Sequence, residues 1–113
     1  MKMRCEIYVK YVLPGIRALV AEYLIKTYGL TQMKAAEKLG MTQAAISYYV
    51  KARRGKKVLD VLRSSSLVRE HVKRLGDLAM KHGMSDELQN AFCEVCRAIQ
   101  NDKNLVREIL NKI

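Results

Sequence analysis

Gln43, Ala44, Ser47, Tyr48 and Lys51 share the open face of a helix predicted from Gln43 to about Lys51. Their side chains are of the kinds that read or hold a DNA duplex. A Gln amide can pair with the major-groove edge of adenine through two hydrogen bonds, and an Ala methyl can meet a thymine methyl. Ser47 and Tyr48 can reach a base or a phosphate. Thr42 caps this helix. The run Arg53-Arg54-Gly55-Lys56-Lys57 follows it as a basic loop, with Arg53, Arg54, Lys56 and Lys57 suited to clamping a phosphate backbone. Gln32 begins the preceding short helix, where its amide and the free backbone N–H groups suit a phosphate.

A second set of residues could do metal or redox chemistry. Cys93 and Cys96 form a C-x-x-C inside a predicted helix, and Cys5 is the third cysteine. Taking Leu88 as the centre of that helix's apolar face, Cys96 falls ~80° away and Cys93 ~140° away, at ~100° per residue. Cys96 therefore suits the core, whereas Cys93 lies at its edge. If Cys5 folds back onto this helix, three thiolates and one outside ligand could hold zinc or an iron–sulfur cluster. Free structural thiols are the plainer reading, because strong zinc signatures bring two paired sets. His71 and His82 are too far apart in helical rise to share a metal. The chain lacks a Gly-rich phosphate loop, a nucleophile elbow, a His-based zinc motif and obvious paired carboxylates, so an enzyme is not expected.

These residues need a small helical scaffold. The chain has 113 residues, enough for one domain with at most a small appendage. Trp is absent, Phe and Pro occur once each, and Leu, Ala, Val, Lys and Arg dominate, a mix that favours helices. Residues 1–57 hold 12 basic and 3 acidic side chains, whereas residues 58–113 hold 9 and 8. That is a basic half, of the kind that binds polyanions, joined to a near-neutral half. No segment has the ~20 consecutive apolar residues of a membrane span, no signal-peptide cleavage site follows the amino terminus, and the odd cysteine count does not suggest a secreted disulfide scaffold. A cytoplasmic protein is expected.

Residues Cys5 to Leu13 alternate loosely and fit either a short strand or the first turns of a helix. Pro14 then opens a helix with Ile16, Leu19, Val20, Tyr23, Leu24 and Ile25 on its apolar face, stopped by Gly29. Thr31 caps Gln32 to Leu39, and Gly40 breaks that helix. Ala36 is small where the third helix must cross, Leu39 and Met41 fill the space beside the turn, and Ile46 and Tyr49 anchor the third helix inward. Val58, Leu59, Val61 and Leu62 supply a short fourth helix. Ser64-Ser65-Ser66 marks the boundary, with Ser66 capping Leu67 to Lys81. Ser85 caps a helix bearing Asp86 and Glu87 in its first turn, where the helix dipole favours acids. Asn101 and Asp102 precede a last helix with Leu105, Val106, Ile109, Leu110 and Ile113.

Thr31-Gln32, Ala36, Gly40, Thr42-Gln43 and Ile46 resemble the lambda-repressor-like (XRE-type) helix-turn-helix regulators over about residues 14–63. The wording of CEIYVKYVLPGIRA and TQAAISYYV resembles small archaeal predicted regulators with an amino-terminal helix-turn-helix. The helical periodicities predict an all-α chain; the resemblance implies a lambda-repressor-like DNA-binding domain at 1–63, and the near-neutral remainder, 64–113, is expected to be a helical dimerisation or sensing region. It also implies a sequence-specific regulator of transcription on double-stranded DNA; because one short helix-turn-helix touches few base pairs, a homodimer is expected, and no membrane partner. Leu105, Ile109, Leu110 and Ile113 are the apolar positions expected to be spare for the dimer. An antitoxin-like or adaptor protein, whose main partner is another protein, is the alternative.

Overall fold

Tyr8, Tyr11, Val12, Gly15 and Ile16 recur three and four residues apart, and all five are buried. That spacing is helical. In the computed structural model, which describes residues 6, 8–45, 47 and 53–113, Tyr8–Val12 is accordingly a π-helical turn that runs straight into helix α1 (Leu13–Tyr28). The strand considered for Cys5 to Leu13 is not present among the described residues of that stretch, because burial follows a helical rather than an alternating pattern. Gly29 ends α1 at φ 70°, its N–H donating to Ile25 O at 3.1 Å.

Six further helical elements follow: α2 (Gln32–Lys38), α3 (residues 43–45 and 47), α4 (Arg53–Ser64), α5 (Ser66–His82), α6 (Asp86–Asn101) and α7 (Lys103–Asn111). All regular structure among the described residues is helical. Two boundaries differ from expectation. The basic run 53–57 belongs to α4 rather than to a loop: Arg and Lys are good helix formers, and the run continues directly into the turn that buries Val58, Leu59, Val61 and Leu62. Ser65, not Ser66, caps α5, accepting a hydrogen bond from the Val68 N–H at 3.3 Å. Ser85 and Asp102 cap α6 and α7 in the same way.

Helix α1 is the axis of the fold and packs against α2, α4 and α5, while α7 closes the far side against α4 and α6. Ile16 and Leu24 of α1, Leu62 of α4, Leu75 of α5, and Leu88 and Ile99 of α6 are fully buried and belong to one core cluster. The residues on both sides of Ser64 therefore share a single core. Gly76 permits a close approach of α5 to α1: the Tyr23 ring fills the space that a Cβ there would take. Leu105 and Ile109 are 5% and 2% exposed and complete this core, so they are not spare for a partner. Leu110 remains exposed and Ile113 is partly buried against the core. Among the described residues no helix is long and apolar enough to cross a membrane.

Candidate nucleic-acid interface

The α2–turn–α3 unit is built by local hydrogen bonds. Thr31 Oγ1 accepts from the Lys34 N–H at 3.1 Å and starts α2. Ala35 and Ala36 face the interior, while Gln32, Met33 and Lys34 are exposed. At the other end Gly40 adopts φ 64°, its N–H donates to Glu37 O at 3.1 Å, and the Met41 N–H donates to Ala36 O at 2.8 Å. This pair of bonds reverses the chain and satisfies the last carbonyls of α2. Thr42 Oγ1 then accepts from the Ala45 N–H at 3.0 Å and starts α3.

Two adjacent helix starts thus project from one surface, and their leading side chains meet. Gln43 Nε2 donates to Gln32 Oε1 at 2.7 Å, with both residues exposed. The bond uses one N–H of the Gln43 amide, which leaves a carbonyl oxygen and a second N–H on an exposed residue. Thr42 and Ala44 are exposed and Ser47 is half-buried. Tyr48 and Lys51, expected on the same face, lie outside the described residues, as do Ile46 and Tyr49. Arg53 and Arg54 begin α4, and Lys56 and Lys57 in the same turn are exposed. The first turn of α4 contains no acidic residue.

The thiols occupy a different part of the molecule. Cys93 is exposed and Cys96 half-buried on α6, the order that their angles on the helix predict. Burial pushes the Cys96 thiol up, Cys93 adds to that shift, and the positive charge of Arg17 opposes it. Cys5 lies outside the described residues. Among those described, no three potential metal ligands come together, so two thiols are what this region brings to the expected zinc or iron–sulfur site.

One network had no local signature. The hydroxyls of Tyr23 and Tyr28 both donate to Asp77 Oδ1, at 2.8 and 2.7 Å, joining the end of α1 to α5. The two rings meet edge to face, with centroids 6.2 Å apart. The Tyr28 hydroxyl holds the Asp77 carboxyl below its ordinary range against the effect of desolvation, with help from Tyr23, Lys73 and Lys81. The tyrosines shift upward, Tyr28 chiefly through that hydrogen bond and Tyr23 chiefly through burial. With partners 54 and 49 residues apart, the network has no signal in local periodicity.

Compared with protein-family models, with curated proteins and with solved structures, the chain gives no match to any.

Proposed function

We propose that this chain is a sequence-specific regulator of transcription that binds double-stranded DNA through a lambda-repressor-like helix-turn-helix, with α3 in the major groove. The Gln32–Gln43 hydrogen bond is the observation that carries the reading. It braces an exposed amide at the start of α3, so that one donor and one acceptor remain to meet the paired groups of an adenine. Ala44 beside it can touch a thymine methyl, and Ser47 lies one turn further along. Lys56 and Lys57, with Arg53 and Arg54, supply the phosphate contacts, and the proposed role is binding rather than catalysis.

One short helix touches few base pairs, so two copies reading half-sites about 34 Å apart would supply the specificity. The homodimer is part of the proposal. Since Leu105 and Ile109 are committed to the core, its contacts in 64–113 centre on exposed positions such as Leu110.

Selection of bound duplexes from a random pool, at fixed salt, tests the reading. A recovered motif with two related halves is expected. Recovery of unenriched sequence would remove α3 from the groove.

A further inference from the structure

Leu13, Leu39, Met84 and Phe92 line an open groove of about 490 Å³ where α1, the end of α2 and α6 meet. That volume falls within the range of small-molecule sites, roughly 300–1,000 Å³. Arg17 of α1 and Arg97 of α6 also line it, and no acidic side chain among the described residues does. Arg17 is half-buried, its guanidinium 5.9 Å from the centre of the Phe92 ring. Among the described residues neither arginine has a carboxylate partner, whereas Arg63 has two, Glu22 at 2.8 Å and Asp60 at 3.3 Å, and Arg74 has Glu94 at 2.7 Å. Arg17 is thus drawn partly out of water with the Phe92 ring against it but no counter-charge among the described residues. A planar anion would supply that charge through two parallel charge-assisted hydrogen bonds.

We propose that this groove binds a small amphipathic anion, its head held by Arg17 and Arg97 and its apolar body against Phe92, Leu13, Leu39 and Met84. The sign of the ligand follows from two cations and no acid in the described lining, and its apolar body from the remaining wall. Cys93 and Cys96 also line the groove, so an occupant shields both thiols. The site adjoins the turn after α2, because Leu39 is the last residue before Gly40, and Met84 lies against Gly40, where a Cβ would come within 2.9 Å of Met84 Cγ.

Calorimetric titration with octanoate, and with 1-octanol as its uncharged counterpart, tests the proposal on the full chain. Octanoate should bind about tenfold more tightly than octanol, and Arg97→Gln should remove that advantage while leaving octanol unaffected. Arg17→Gln should do the same. Arg97 is exposed, so its variant decides the matter if the Arg17 variant does not fold. In parallel, saturating octanoate should slow alkylation of Cys93 and Cys96 by N-ethylmaleimide severalfold, as mapped by mass spectrometry. No octanoate binding, equal affinity for octanol, an unchanged affinity in Arg97→Gln, or unprotected thiols would each overturn the proposal.

Discussion

Helix α6 opens with Asp86 and Glu87 behind its Ser85 cap, whereas α4 opens with Arg53, Arg54, Lys56 and Lys57 and no acid in its first turn. Acids near a helix start interact favourably with the backbone dipole, and cations there interact unfavourably, each by roughly 0.3–1 kcal/mol. Helix α6 therefore gains from its own dipole, whereas the described first turn of α4 brings no acid to do the same. Ion pairs repeat the contrast. Arg74 and Glu94 pair across α5 and α6 at 2.7 Å, and His82 Nε2 lies 3.4 Å from Glu87 Oε2, while on α2 Lys34 and Glu37 stand 3.7 Å apart and exposed. Exposed pairs of this kind contribute little stability.

The largest effect should come from neutralising the start of α4. Replacing Arg53, Arg54, Lys56 and Lys57 together by Gln should weaken duplex binding about 100-fold or more near 0.1 M salt, with the log–log salt slope falling by about 0.9 for each phosphate no longer neutralised. Fluorescence anisotropy over a salt series measures this. Thermal stability should change little in the same variant, because Lys56 and Lys57 are exposed and substitutions at exposed positions away from buried or capping features usually stay within about 0.5 kcal/mol. If affinity and stability fall together, these cations serve the fold and the contrast with α6 fails.

Gly76→Ala tests the other side, where the chain serves its own packing. Ala is the better helix former by about 1 kcal/mol, yet the variant should lose about 1–3 kcal/mol because the Tyr23 ring must move. Urea denaturation measures the loss, and duplex affinity should be unchanged at temperatures where the variant is folded. A stabilised Gly76→Ala would show that the Tyr23 ring imposes no constraint.

Within the interface, Gln43→Ala should cost about 1–3 kcal/mol on the preferred duplex and relax preference at one base pair. Arg54→Ala should weaken all duplexes alike and lower the salt slope by about 1. Competition between matched and single-substituted duplexes separates the two. Equal behaviour of both variants would mean that α3 does not read bases.

The smallest effect concerns pH. Asp77 titrates lower in the folded chain than in the unfolded one, so its contribution is present above the ordinary carboxylate range and is lost as pH falls through its depressed pKa. Tyr23 and Tyr28 shift the other way, so theirs is present below about pH 10 and is lost as pH rises through their raised values. Tyr28→Phe should move the Asp77 pKa up toward its ordinary value, followed by NMR titration of the carboxyl. An unmoved Asp77 would show that the Tyr28 hydroxyl does not hold it down.

The sequence by itself determined the features that act over a few residues. Thr31, Thr42, Ser85 and the glycines at 29, 40 and 83 cap or stop helices through neighbours at most five positions away, so helix order and the α2–turn–α3 unit were legible. The angular order of Cys96 and Cys93 on α6 was legible for the same reason. Arg17 stands between Ile16 and Ala18 in the sequence, but a single-helix pattern contains neither Phe92 nor the groove. Only the tertiary structure decided that the 53–57 run joins α4, that Leu105 and Ile109 belong to the core, that the Gln32 and Gln43 amides meet, and that both Tyr23 and Tyr28 donate to Asp77. Each of those depends on which helix lies alongside, a choice set by the summed burial of many side chains rather than by any short stretch.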